Sequence, residues 1–558
     1  EADERIADKV SLAQDLINRI GEFNKEIRLT LRSGADATAV ENAQSAAIDE
    51  LSSLLDIRVS PLAEGGVHVR TSGGALLVGE TTATLDYTPS GASFGSYSTI
   101  TYNAALDNAG NLEPFLLNGE IKGLLQTRDV DLKQLAEALG GFAAEIGDAL
   151  NAVHNENTSY PAVTELTGRQ TGLISTDALN FSGSTLIGVT DSEGVLSQRL
   201  TIDFDAGQIV TEQPAGSFAF SNTIGSFAAA LDLALGASGD ASFSAGQLSI
   251  SAANGGGLVI QQDSADPSDR AGRGFSHFFG LNDLVGRPAP MFFETGGSAS
   301  DLHGLAAGGA LTFTVKDAAG RVIGDPSVAI SGALAGAGST WSDLVTALNN
   351  PTTGLGQYAT FAYDSTTGQI GWTAKTGFQL ALTGDTTQRG ATGVSMSSLF
   401  GLGPAAGAAR AVEVDVVASI GDDPTRLAVG RPDLSADIGV KIIEAGDNRG
   451  ATALARARDE ARSFHAAGSL SAQTTTLATY SARFAGLVGR ISSDAQRAAD
   501  GASALATAAS DRRSQVEGVS IDDELIRMTT YQNAYAAASR LIQAANEMYE
   551  ILLQLGRY

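Results

Sequence analysis

From Ser520 to Leu555 the sequence reads as one uninterrupted helix. Ser520 is a good N-cap, and Asp522, Asp523 and Glu524 place three carboxylates in the first turn, where they complement the helix dipole. Apolar or small residues recur in steps of three and four at Ile521, Leu525, Met528, Tyr531, Tyr535, Ala538, Ile542, Ala545, Tyr549 and Leu552. No Gly or Pro interrupts them before Gly556. At about 1.5 Å per residue such a helix runs roughly 50 Å. A seam of that length needs a partner along all of it, which points to assembly rather than catalysis. Leu525, Met528, Tyr531, Tyr535, Ile542, Tyr549 and Leu552 are the expected contacts between subunits.

The opposite end carries a second seam. Ile6, Val10, Ala13, Ile17, Ile20, Asn24, Ile27 and Leu31 alternate in steps of four and three, the spacing of a coiled-coil face. Within it Ile6, Val10, Ile17, Ile20 and Ile27 supply the apolar contacts, and Asn24 is an amide able to fix register. Ser33-Gly34 ends this helix, and a second from about Thr38 to Asp56 completes an αα-hairpin. The chain opens EADERIADKV as if already inside a helix, so a processed or truncated start is expected.

From Ile57 to about Pro114 the pattern is that of strands, with turns at Gly65-Gly66 and Gly73-Gly74. A helix is predicted between Gly119 and Asn157, with Leu124, Leu125, Leu132, Leu135, Leu139, Phe142, Ile146 and Leu150 on its apolar side. Residues 160 to 408 are rich in Gly, Ser, Thr and Ala and contain an internal repeat. LIGVTDSEG, IGSFAAALDLAL, ASFSAGQLSISA, GGLVIQQDS and FSHFFGLND are matched in the same order by LTFTVKDAAG, TWSDLVTALNN, ATFAYDSTTGQIGWTA, GFQLALTGD and MSSLFGLG, roughly 120 residues later. Asp191 pairs with Asp317, Gln247 with Gln369 and Phe279 with Phe400. Two tandem, mostly-β domains of similar fold follow. A strand at Ala411–Val417 then leads to helices over 448–464 and 471–516, the latter with a seam of Leu477, Tyr480, Phe484, Leu487, Ile491, Ala498, Ala502, Leu505, Ala509 and Val516.

The expected fold is therefore multidomain α and β. Both chain ends form a coiled-coil-like helical rod, and mostly-β domains, including the duplicated pair, are inserted between them. The divisions are 1–56, a helical hairpin; 57–117, a β-hairpin region; 118–158, a helix; 159–295 and 296–408, the two outer β domains; 409–446, a return strand and connection; 447–517, rod helices; and 518–558, the assembly helix.

Composition narrows the function. A net charge of −27 leaves no clustered cationic face for phosphate neutralisation, so neither nucleic acid nor an anionic membrane is an expected partner. Absence of cysteine removes disulfides, thiolate zinc sites and cysteine nucleophiles. No run of eighteen apolar residues or signal peptide is seen. The five histidines, His68, His154, His277, His303 and His465, show no metal-pair spacing and read as ordinary surface or interface residues. Gly91-Ala92-Ser93-Phe94-Gly95 matches G-x-S-x-G but precedes a strand rather than a helix, and reads as a turn. Asp263–Asp269 lacks calcium-loop spacing and reads as a solvated loop. Asp107 to Asn111 is a turn sequence, and GLGPAAG at 401–407 lacks dinucleotide spacing. Arg456, Arg458, Arg462, Arg512 and Arg513 alternate with acids, as on a solvated helix face. No catalytic residue, cofactor or metal is expected.

The ending IDDELIRMTTYQNAYAAASRLIQAANEMYEILLQL resembles the C-terminus of the flagellar axial proteins, the rod, hook and hook-associated family. INRIGEFNKEI (17–27), IDELSSLLDIRV (48–59), GGVHV, GGALLVG and GEIKGLLQTRDVDLKQL (119–135) are similar to its hook-associated branch. The resemblance implies a non-enzymatic, extracellular subunit exported through the flagellar channel without a cleavable signal peptide. It implies a ring of such subunits between hook and filament, contacting hook protein and neighbouring hook-associated or filament proteins, with an export chaperone before secretion. It also implies a further N-terminal helix, not present here, as companion to the terminal helix. Two other readings compete: a hook or flagellin-like polymer subunit, and a secreted adhesin binding glycans through its duplicated β domains.

Overall fold

The computed structural model describes every residue except 91–96, 104–109, 319–320, 331–337, 519 and 556–558. The G-x-S-x-G match, residues 107–109 of the turn sequence, Gly320 and Gly556 lie outside the described residues, as does the side chain of Val516. The chain divides into two compact units, Glu1–Phe484 and Ala485–Tyr558.

The first unit begins with helices α1 (Ala2–Arg32) and α2 (Thr38–Leu54), packed on one another. Ile6, Val10, Ala13, Ile17, Ile20, Asn24 and Ile27 are all buried, whereas Leu31 is exposed, so the face ends one turn before the helix does. Strands β1 (Ile57–Pro61), β2 (Val67–Thr71) and β3 (Leu76–Val78) form an antiparallel meander through the two glycine turns. Strands β4 (Thr84–Asp86), β5 (Thr101–Asn103) and β6 (Gly110–Asn111) form a second small sheet. One core, centred on Ile17, Ile20, Leu51, Leu77 and Ile100, joins helices to sheets.

The helix expected over 119–157 is interrupted. Helix α3 (Glu120–Gln126) and helix α4 (Leu132–Asn155) flank a π-helical turn at Thr127–Asp131. The predicted apolar side of α4 is also corrected. Leu132 and Leu139 are exposed, Leu135, Phe142, Ile146 and Leu150 are half-buried, and the inward face is Ala138, Gly140, Ala144, Gly147, Ala149, Asn151, His154 and Asn155. Close backbone approach is the reason: a Cβ on Gly140 would lie 1.9 Å from the carbonyl oxygen of Gly407.

The first outer core follows. Strand β7 (Glu165–Thr167) precedes β8 (Ser184–Thr190), β9 (Leu196–Asp203), β10 (Gln208–Glu212) and β11 (Ala215–Ala219); helix α5 (Ile224–Leu235) leads to β12 (Gly239–Ser244), β13 (Gln247–Ala252), β14 (Gly257–Gln262) and the short helix α6 (Phe275–Phe279). The main sheet has the order β11-β10-β9-β8-β14, and β12-β13-β7 form another. Phe181, Phe204, Phe227, Phe275, Phe278 and Phe279 interlock as stacked and edge-to-face rings between these layers.

After β15 (Val285–Gly286) the pattern recurs. Strand β16 (Ala310–Asp317) carries β17 (Val322–Gly324) and β18 (Ser327–Ala329) along one edge; then come α7 (Trp341–Leu348), the hairpin β19 (Ala359–Asp364) and β20 (Gln369–Ala374), β21 (Phe378–Asp385) and α8 (Met396–Phe400). Strand β21 pairs antiparallel with β16 as β14 does with β8. The repeated Phe-Gly ends α6 and α8 alike, with Gly280 and Gly401 in left-handed conformation at φ 66° and 69°. Asp191 and Asp317 each accept backbone N–H bonds across the turn after the first strand of their repeat.

The return differs from expectation in two places. Residues 404–412 are helix α9 (Pro404–Val412), started by Pro404 and packed on α4, and only β22 (Asp415–Val416) is strand, pairing with β15. Past helix α10 (Ala418–Asp422), residues 434–443 cover Leu196 and Val259 of the first outer sheet. Helix α11 spans only Arg449–Arg456; beyond it β23 (Arg462–Phe464) pairs with β24 (Gln473–Thr475), because Phe464 is buried and stacked 4.1 Å from Tyr480. Helix α12 (Leu477–Glu517) follows, with Tyr480 and Leu487 buried, and helix α13 (Ile521–Leu555) ends the description.

Candidate assembly surfaces

Helix α13 starts as its sequence dictates, with the Asp523 N–H donating to Ser520 Oγ at 3.3 Å. None of its residues is buried. The seven expected contacts, Leu525, Met528, Tyr531, Tyr535, Ile542, Tyr549 and Leu552, are exposed by between 49% at Leu525 and 78% at Tyr535. Off that seam, Ile526, Leu541, Met548, Ile551, Leu553 and Leu555 are exposed as well. At 100° per residue the apolar positions from Leu541 to Leu555 cover roughly 200° of the helix circumference, against the 100° or so of an ordinary one-sided face. The far half of α13 therefore presents apolar surface on two sides. Reading the helix as one seam missed this, although the run MYEILLQL carries the signal.

The N-terminal seam is placed differently. Ile6, Val10, Ile17, Ile20 and Ile27 lie in the core of their own unit. Asn24 is buried too and works locally rather than across a seam. Its Nδ2 donates to the Val67 carbonyl at 2.8 Å, and its Oδ1 accepts from Val67 N–H at 2.7 Å and Gln44 Nε2 at 2.9 Å. One amide thus ties α1, α2 and the start of β2 together, with every atom satisfied.

Two polar hubs were not visible in the sequence. At the π turn, the Arg128 side chain is buried; it bonds Asp129 through Nε and Nη2 at 2.7 and 2.8 Å and donates to Tyr87 Oη. It also faces Asp3 and Glu113 at 3.4 and 3.7 Å and covers the Tyr97 ring at 4.8 Å. Burial pushes the Tyr87 hydroxyl well above its ordinary range, an effect reinforced by its bond to Asp3 and opposed by the Arg128 charge.

The second hub joins the end of α4 to the first outer core. Asn151 Oδ1 accepts the N–H groups of Leu284 and Val285, each at 2.9 Å, while its Nδ2 donates to Val285 O. Asn155 Nδ2 donates to Asp283, and its Oδ1 accepts from Ser276 Oγ and Asn282 N–H. Asp148 lies 3.1 Å from Arg273 Nε and 2.9 Å from His277 Nε2. Two guanidinium groups lie over the Phe292 ring, Arg273 at 3.5 Å and Arg169 at 4.6 Å. The reading of all five histidines as surface or interface residues is corrected at two of them: His154 and His303 are buried. Their neighbours come from distant parts of the chain, which spacing along the sequence does not register.

Among the described residues no group of three His, Asp or Glu side chains could hold a metal ion, and no helix is long and apolar enough to cross a membrane. The Asp263–Asp269 loop uses its first carboxylate to cap Ala265 N–H. Helix α13 exposes its apolar residues along its described length.

Two stretches of the chain are similar to known protein families. Residues 1–165 match the family described as the flagellar hook-associated protein FlgK helical domain, and residues 514–555 match the flagellar basal body rod FlgEFG protein C-terminal family. Over these two stretches the chain is similar to flagellar axial proteins. No curated protein matches it. Among solved structures it is similar to the flagellar hook junction protein FlgK from Burkholderia pseudomallei, at 14% identity and a TM-score of 0.35, over 93% of this chain and 84% of that one.

Proposed function

We infer that the chain is a structural subunit of the junction between flagellar hook and filament. The observation that carries this is the pairing of a hook-associated helical domain at one end with an entirely unburied axial helix at the other. Its partners are copies of itself in a ring, with hook protein on one side and hook-associated or filament protein on the other. An export chaperone covers the terminal helix before secretion. The exposed apolar residues support this, because a long apolar helix in water needs a cover before its final partner is met. The subunit's work is positional, and no catalytic step is assigned to it.

Placement is tested by immunogold labelling of flagella with antibody to residues 160–408. A single label at the hook–filament boundary is expected. Label along the filament, or along the hook, overturns the assignment in favour of a polymer subunit of that segment. Deleting the chain from Ile521 should leave the outer cores folded and stop assembly, and normal incorporation of the truncated chain would refute the role of α13.

A further inference from the structure

Three of the five histidines, 154, 277 and 465, converge on the joint between α4 and the first outer core, although they stand far apart in the sequence. Hydrogen bonds dominate this joint. The inward face of α4 offers small residues (Gly140, Ala144, Gly147) and then a polar end, Asn151, His154 and Asn155. Such bonds exchange with water at modest net cost, so a polar joint can be opened without exposing a large apolar area.

His154 is committed on both ring nitrogens. Nδ1 lies 2.6 Å from the Asn282 carbonyl oxygen and must donate to it; Nε2 accepts the Ala428 N–H at 2.8 Å. Only the neutral Nδ1–H ring satisfies both partners, because a protonated ring has no acceptor left for Ala428. Adjacent contacts close the same joint: Asn282 Nδ2 donates to the carbonyls of His154 and Asn157.

We propose that this joint is a pH-sensitive latch, closed while His154 is neutral and released on the acid side, where Ala428 loses its acceptor and the return segment that packs on the first outer core comes away from α4, freeing that core to move. Around His154 itself, burial lowers the pKa and the Asn282 bond opposes it, with no ionic group contributing. The charged groups of the joint lie around its other histidines. His277 faces Asp148 of α4, with Arg169 and Arg273 from the outer core beside it and Asp283 paired to Arg169. Burial lowers its pKa and the two guanidinium groups add to that, while Asp148 pulls the other way. His465 lies between Glu145 of α4 and Glu294, with Arg273 nearby. Its bond to Glu145 raises its pKa against the burial effect, and the Glu294 charge adds to the rise, so its protonation tightens the joint. A histidine whose pKa is lowered on folding contributes stability that is fully present above its ordinary value of 6.5 and declines as pH falls below it. His154 and His277 therefore loosen the joint on acidification and His465 resists.

The chain has no cysteine, so a donor–acceptor dye pair can be placed uniquely at Gln126→Cys and Ser192→Cys in the full-length protein. Energy transfer should be constant from pH 8 to 7 and change progressively below 6.5. His154→Gln, whose amide donates and accepts but does not titrate, should remove most of that change, and His277→Gln should reduce it. His465→Gln should make the change steeper. If His154→Gln fails to fold, the His277 and His465 variants still give opposite signs. In the unaltered chain, nitrogen-correlated imidazole spectra should show His154 as the neutral Nδ1–H tautomer at pH 7. Transfer that is flat from pH 8 to 5, or a pH profile untouched by the His154 and His277 variants, overturns the proposal.

Discussion

Arg389 and Asp177, separated by 212 residues, meet in a bidentate ion pair with both bonds at 2.7 Å and neither side chain more than 2% exposed. Arg389 also donates to the carbonyls of Gly172, Leu302 and His303. Arg270, which stands shortly before α6 as Arg389 stands before α8, does the same in the first repeat. It donates to Ala178 and Leu179 at 2.9 and 2.6 Å and to Thr295 through two nitrogens. Each arginine grips the segment leading into its own core, and Arg389 additionally reaches back to the segment before the first. Two repeats that sequence alone presents as tandem beads are thereby tied together.

Arg389→Met would leave Asp177 charged, buried and unpaired, at a cost of about 3–5 kcal/mol. The two tryptophans, Trp341 and Trp372, both lie in the second outer core or against it, so their fluorescence reports that core alone. The urea midpoint of the tryptophan signal should fall sharply in Arg389→Met and recover partly when Asp177→Asn is added. An unchanged midpoint would mean the ion pair does not hold the second core.

Asn24→Leu leaves the Val67 N–H and carbonyl and the Gln44 amide without their partner inside a packed core. A loss of about 1–3 kcal/mol is expected. Amide hydrogen exchange at Val67 should accelerate more than at Val69, which keeps its pairing with Val59 in the sheet.

If the far half of α13 meets neighbours on two sides, substitutions off the seam will matter as much as those on it. Leu552→Asp on the seam and Ile551→Asp off it should both block assembly, while thermal unfolding of the outer cores stays within about 0.5 kcal/mol of the parent, as for surface changes. Assembly surviving Ile551→Asp would restore a single-seam contact.

Acid also acts through Asp148. Burial opposes its charge, but the His277 hydrogen bond and the charges of Arg273 and Arg169 outweigh that and hold its carboxyl well below the usual carboxylate range. A depressed carboxylate contributes stability present above its ordinary value of 3.8 and lost as pH falls through its folded value. Asp148→Asn should therefore destabilise the protein at neutral pH, and the gap to the parent should narrow below about pH 4 in pH-dependent denaturation curves.

Element type was legible wherever it rests on short periodicity. The helices α1 and α13, the two glycine turns and the order of elements in both repeats all follow from spacing within a few residues. Misreadings fell where a distant partner decides. Spacing alone made the leucines of α4 its inner face, but backbone contact with Gly407 selects the glycine side. Ala411 and Val412 alternate like strand residues, yet they close a helix docked on α4. Arg270, Arg389 and His154 have no local signature, because each acts on groups tens to hundreds of residues away, and Arg128, though bonded to its neighbour Asp129, meets Tyr87 and Asp3 only in the fold.

What the sequence determined by itself is that residues 521–555 form a helix with apolar residues recurring along its length, and that the middle of the chain is duplicated. Those are properties of neighbouring residues on one helix or strand, and local backbone geometry enforces them. Only the tertiary structure decided that Asn24 serves its own domain, that buried arginines lock the repeats together, and that histidines gather at the α4 joint. Charged and polar groups can be buried only where distant partners satisfy them, and the pairing of distant segments is a property of the folded chain.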